Sequence, residues 1–152
     1  MLKRTAVIVV GAAVATAGVG TWRSSADTGP GLIRITSTQT RYVRVDLGAR
    51  STSPGDVEFI RQALFNRRIT PNAIGRSELV CTYTFGNQRA CRGTYFFLPG
   101  KIMVAGSIPN REIYELAIVG GTGLYNNARG TFTATRTALR PRREFLIFRL
   151  AG

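Results

Sequence analysis

From Leu32 onward, apolar and polar residues alternate in short runs, and clusters of Gly, Pro, Asn and Ser cut the runs apart. Strand side chains point alternately to opposite faces, so a period of two predicts β-structure. The first run covers Leu32–Leu47 and stops at GARSTSPGD. Val57–Phe65 follows, and its pattern fits a strand or a short helix. NRRITPN reads as a polar loop. Then come Ser77–Phe85, the turn GNQR, Cys91–Leu98, the turn Pro99-Gly100, and Lys101–Ile108. PNR leads to Glu112–Val119. A glycine-dense stretch leads to Gly130–Ala138, and RPRR to Glu144–Leu150. Short strands at close spacing without an amphipathic helix to cover a sheet predict an all-β domain. An eight-stranded antiparallel up-and-down β-barrel fits best, because closure removes exposed edges. A β-sandwich is the rival. Eight strands leave an interior wide enough for packed side chains or one small ligand.

The two cysteines, Cys81 and Cys91, flank FGNQR across a hairpin. Facing each other on neighbouring strands, they are expected to form a disulfide; two buried thiols are the alternative. The pairing sets a phase. Leu79, Cys81, Tyr83 and Phe85 share one face, joined by Gly93, Tyr95 and Phe97. Glu78, Val80, Thr82 and Thr84 share the other. The aromatic set is expected inside, so Tyr83 and Tyr95 line the lumen.

The first segment has the pattern of a secretory signal. Lys3 and Arg4 precede the apolar stretch Ala6–Gly20, and Ser24-Ser25-Ala26 offers small residues for cleavage. Residues 1–26 are thus expected to be a signal peptide and 27–152 the working domain, secreted and without a stable membrane anchor. An uncleaved anchor is the alternative, although the stretch falls short of the roughly 20 apolar residues of a span. Export agrees with paired cysteines, since disulfides persist in oxidising compartments.

Charge narrows the partners. The chain carries 21 Lys and Arg against 8 Asp and Glu, a formal net charge of +13. Such a surface attracts polyanions, yet no long basic run or nucleic-acid motif is present, so no specific nucleic acid is expected. An anionic cell-wall polymer or an acidic small molecule suits an exported protein better. There is no His. That excludes Ser-His-Asp and Cys-His catalysis and removes the commonest metal ligand. No metal site is expected, and chemistry would run on carboxylates, Tyr, Arg and backbone.

The glycine-dense stretch is GGTGLYNNARG, residues 120–130. A dinucleotide fingerprint would need a third glycine where Asn126 stands, and a helix to follow; GTFTATRT is β-forming instead. A tight connection between antiparallel strands is the better reading, with Gly supplying positive φ and close backbone approach. The string REIYELAIVGGTGLYNNARGTFTATRT resembles the late segment of plant dirigent proteins, and equally allene oxide cyclases. The ending REFLIFRLAG is similar to a cyclase C-terminus, and Ile74-Gly75-Arg76 to a dirigent Val-Gly-Arg. The likeness is close over about Ile113–Thr137 and loose elsewhere.

This resemblance implies a calycin-type barrel, often a homotrimer, that works without cofactor on a hydrophobic small molecule. Allene oxide cyclases fold an unstable epoxide for stereospecific closure, and dirigent proteins steer reactive phenolic species. In both families a carboxyl late in the first strand acts on the substrate. Asp46 in RYVRVDLG takes that place as the catalytic candidate. Arg129, matching the dirigent Ala-Arg-Gly, is a candidate for binding a phenolate or carboxylate, and Tyr83 and Tyr95 for hydrogen bonds to substrate oxygens. Glu58 is expected at the surface, and Arg140, Arg142 and Arg143 in a solvated basic loop. The rival reading is a ligand carrier or cell-envelope interaction protein without catalysis.

Overall fold

The computed structural model describes residues 31–48 and 51–151. The expected signal peptide, residues 1–26, lies outside them. Eight strands form in chain order: β1 (Leu32–Val45), β2 (Val57–Phe65), β3 (Gly75–Tyr83), β4 (Gln88–Phe97), β5 (Gly100–Pro109), β6 (Ile113–Gly123), β7 (Arg129–Leu139) and β8 (Arg142–Ala151). Each pairs antiparallel with the next, and β1 pairs with β8 to close the cylinder. The sandwich is thereby excluded. Val57–Phe65 is a strand, since its backbone is needed between β1 and β3.

Two rims follow from this meander. The upper rim carries the β1–β2, β3–β4, β5–β6 and β7–β8 connections. The lower rim carries the other three connections and the start of β1. Inward positions alternate with outward ones along every strand. β3 sends Ser77, Leu79, Cys81 and Tyr83 inward, and β4 sends Arg89, Cys91 and Tyr95. Cys81 and Cys91 face each other in the ladder and are disulfide-bonded, with Cα atoms 4.1 Å apart. Phe85 departs from the expected phase. β3 ends at Tyr83, so Phe85 lies in the turn and is 85% exposed.

One irregularity matters for the site. In β1 the ladder to β2 shifts between Gln39 and Arg41. Such a bulge turns the strand's phase over. Below it Ile35 and Ser37 are buried; above it Tyr42 and Arg44 reach buried acids.

The lower half of the lumen is packed with aromatic rings. Phe148 contacts Tyr95, Phe97 and Phe132 at centroid distances of 5.0, 6.0 and 4.9 Å, and Tyr125 closes the group against Phe97 at 5.7 Å. Tyr125 is delivered by the glycine-dense stretch, which forms the β6–β7 turn. A Cβ on Gly121 would collide with the Tyr125 carbonyl oxygen, and Gly123 has φ +64° against the Pro99 carbonyl. The glycines let three backbone segments crowd together.

Candidate functional site in the upper half of the barrel

Above the aromatic floor the lumen turns polar. Two carboxylates, Glu58 from the start of β2 and Glu144 from the start of β8, are both buried, at 4% and 0% exposure. Burying an ionised group is tolerated only when it is paired and hydrogen-bonded, and both are. Glu58 Oε1 accepts from the hydroxyls of Tyr42 and Tyr83, each at 2.7 Å, and Oε2 accepts from Arg89 Nη1 at 2.5 Å. Glu144 Oε1 accepts from Arg142 Nε and Nη2 at 2.9 and 2.6 Å. Its Oε2 accepts from Gln62 Nε2 at 2.7 Å and from the Tyr114 hydroxyl at 3.2 Å. Ser77 completes this group by donating to Gln62 Oε1 at 2.9 Å.

The two acids differ in access. Glu144 is saturated by four donors on groups that are themselves mostly enclosed. Glu58 shares one oxygen with Tyr42, a residue that is 44% exposed. Burial pushes the Glu58 carboxyl up, but the hydrogen bonds of Tyr42 and Tyr83 and the Arg89 charge outweigh it, so it stays below the ordinary range. Burial and the Glu58 charge push Tyr42 up to about 12 and raise Tyr83 as well. At neutral pH the group is therefore a carboxylate facing two protonated phenols and a guanidinium.

A third acid anchors the rim. Asp56 accepts from Leu47 N at 3.0 Å, Ser53 N at 2.9 Å, Ser53 Oγ at 3.2 Å and Arg44 Nη2 at 2.6 Å. The Ser53 backbone bond, the Arg44 side chain and the Leu47 backbone bond hold its carboxyl well below the usual range. Arg44 also lies over the Tyr83 ring, 5.4 Å from its centroid.

Several buried donors around these acids have no partner among the described residues: Ser37 Oγ, Arg44 Nε, Arg89 Nε, Arg136 Nε and the Tyr95 hydroxyl. Every one of them can donate, so the upper lumen has donors in excess. Tyr95 is wholly enclosed, and burial, then Tyr114 and Glu144, hold its phenol protonated. An unmatched buried hydroxyl costs its desolvation. Tyr95→Phe is therefore expected to raise stability by about 1 kcal/mol, read as a higher urea midpoint with an unchanged slope.

The predicted site residues are only partly brought together. Tyr83 and Tyr95 do lie in the lumen. Asp46 sits one residue past the end of β1, exposed, and among the described residues accepts only from the Gly48 amide, at 3.4 Å. It is not among the side chains that converge on Glu58. Arg129 lies at the lower rim, exposed, donating to the carbonyls of Val119 and Ala128 at 2.8 and 3.0 Å, which makes it a turn clamp. Two expectations are corrected outright. Glu58 is interior, because β2 directs Glu58, Ile60, Gln62 and Leu64 inward and Phe59 and Arg61 outward. Arg142 is no solvated loop residue, because β8 begins there and its guanidinium is held by Glu144. Glu144 itself escaped sequence reasoning. The available signal was its parity with Leu146 and Phe148, an acid on a strand face otherwise fit for a core.

Among the described residues no group of three His, Cys, Asp or Glu side chains could hold a metal ion, and no helix is long and apolar enough to cross a membrane. By sequence, the chain matches no protein-family model and no curated protein. Solved structures do resemble it. A pyocyanin demethylase superposes with a TM-score of 0.65 at 21% identity, over 77% of this chain and 99% of that one. A pterocarpan synthase dirigent protein gives 0.61 at 18% identity, over 76% and 84%. A Diels-Alderase from Streptomyces koyangensis gives 0.63 at 17% identity, over 79% of this chain and 64% of that one. The chain therefore has the closed eight-stranded barrel shared by dirigent proteins and by cyclising enzymes of the Diels-Alderase kind.

Proposed function

We propose that this chain is an exported barrel, acting after loss of residues 1–26, that binds a hydrophobic small molecule in the upper lumen and steers its cyclisation or coupling without a cofactor. The observation that carries this reading is Glu58: an enclosed carboxylate, held by two tyrosine hydroxyls and an arginine, reachable by displacement of the half-exposed Tyr42. Buried charge has no structural need to sit beside a removable partner, and acids of this kind concentrate at functional sites. The excess of donors favours a ligand rich in acceptor oxygen, such as a phenolic, quinonoid or enone skeleton. Separate oxygens of it would take hydrogen bonds from Arg89 Nε and from Tyr95, while its apolar body rests on the ring of Phe132. Holding such a molecule near its reactive shape removes much of the entropic barrier to closure, and Glu58 serves as the base or polarising charge.

A homotrimer belongs to the same proposal. Val43, Phe59, Met103 and Val119 leave an apolar stretch on the outer wall of the barrel, beside a cleft of about 320 Å³ between Val43, Phe59 and Val80. The rival reading is a carrier without chemistry, in which the aromatic rings of the lower lumen serve packing and only the upper lumen takes the guest.

The test incubates the purified protein with achiral precursors of ring closure and, separately, with phenols under a one-electron oxidant. Chiral chromatography reads the products. An enantiomeric excess is expected, lost at least about a hundredfold in rate in Glu58→Gln and kept in Asp46→Asn. If Asp46→Asn abolishes the excess and Glu58→Gln keeps it, the assignment of the acid is wrong. Racemic product from wild type, with retained binding, leaves the carrier reading.

A further inference from the structure

Charge is segregated along the barrel axis. Asp46, Asp56, Glu58, Glu112, Glu115 and Glu144 belong to the upper half, and Glu78 lies near the waist of β3. Among the described residues the lower rim has no carboxylate at all. Instead it exposes Arg34, Arg67, Arg68, Lys101, Arg129 and Arg149, none within ion-pair distance of a described acid. Aliphatic side chains project from the same rim. Leu98, at the tip of the β4–β5 turn, is 99% exposed, and Leu32, Ile69, Ile74 and Leu124 are exposed around it. Between them opens a cup of about 440 Å³ lined by Leu32, Ile33, Ile74, Phe97, Leu98 and Tyr125, with Arg34 at its edge.

We propose that the lower rim docks the barrel reversibly on an anionic lipid bilayer. Arginines near an anionic surface each add to attraction over roughly a Debye length, and protruding aliphatics that enter the acyl boundary add apolar burial. The upper rim also exposes Leu47, Phe85, Ile113 and Leu139, so apolar tips alone do not choose between the rims; but the upper rim mixes its cations with Asp46 and Glu112 and lacks the single-sign field that an anionic surface selects. Aliphatic tips favour a bilayer over a soluble polyanion, which would meet the arginines but gain nothing from Leu98. Docked in this way, the barrel turns its Glu58 end away from the lipid. The inference does not rest on the proposed chemistry.

The test is vesicle co-sedimentation with the chain from Asp27 on, which leaves out the apolar stretch Ala6–Gly20. All the ladders that close the barrel lie within residues 32–151. Binding to phosphatidylcholine vesicles doped with phosphatidylglycerol is expected, with little to phosphatidylcholine alone and a steep fall with salt. The double variant Arg67→Glu/Arg68→Glu is expected to lose at least about tenfold in partitioning, and Leu98→Asp several-fold. The upper-rim double variant Arg111→Glu/Arg140→Glu, equal in charge change, is expected to bind nearly as wild type. Equal losses from both rims would overturn the proposal as mere polycation behaviour. So would a Leu98→Asp variant that binds undiminished while soluble polyphosphate competes the vesicles away, because the rim would then read a polymer.

Discussion

Arg89→Met is expected to cost about 3–5 kcal/mol of stability at neutral pH, because it leaves an enclosed carboxylate without its cation. Arg89 and Glu58 are 3% and 4% exposed and meet at 2.5 Å. The long apolar Met fills most of the arginine's volume, so the loss reports charge rather than a void. The pH dependence separates the two. In the native barrel the Glu58 carboxyl is lowered, so its stabilising contribution is complete above the unfolded value of about 4.3 and fades as pH falls through the folded value. In Arg89→Met the burial that raises the carboxyl persists and the Arg89 contribution that lowers it is gone. The variant's folded state then takes up a proton at higher pH than wild type. The stability gap should therefore be widest near neutrality and narrow as the solution is acidified. Urea unfolding across pH reads this directly. A gap that stays constant down to acid pH would mean that Glu58 is not charged in the fold.

The second large effect is expected at the floor. Phe148→Ala should destabilise by about 3–5 kcal/mol, the usual range for removing a large enclosed ring. Phe148 is fully buried and meets three other aromatic residues. A barrel closes its core on all sides, so neighbouring side chains have little room to collapse into the gap. The void should be apolar, and small aromatic molecules are expected to bind it and recover part of the loss, seen as a ligand-dependent rise in melting temperature. Benzene without effect on the variant's melting temperature would show that the lumen had collapsed.

These two effects sit on opposite sides of a division that runs through the lumen. The aromatic floor makes the fold stable. The charged upper half costs desolvation and is offset by paired donors, an arrangement that natural proteins keep mainly where a site requires it. Tyr95 lies at the boundary, with its ring in the floor and its unpaired hydroxyl among the donors.

The barrel itself was legible in the residues. Period-two alternation, turn clusters at short intervals and the absence of an amphipathic helix led to eight antiparallel strands. The bounds expected for Val57–Phe65 match to the residue and those of the other strands to within four. The cysteine pair fixed the phase of β3 and β4, so Tyr83 and Tyr95 were found inside. The glycine stretch was recognisable as a connection because no helix follows it.

The carboxylates of the site were not legible, for a definite reason. In β2 the two faces, Glu58-Ile60-Gln62-Leu64 and Val57-Phe59-Arg61-Ala63, are nearly balanced in polarity, so alternation alone does not say which one turns inward. Closure decides it, by setting β2 between β1 and β3 with Gln62 opposite Ser77. In β1 the bulge after Gln39 reverses the phase without any glycine to announce it, which brings Tyr42 and Arg44 to their acids while Asp46 falls beyond the strand's end. Local pattern thus determined that strands form and where they stop. Only the closed ladder, by fixing which neighbours each strand has, decided which of the scarce acids lie inside and which arginine stands beside each.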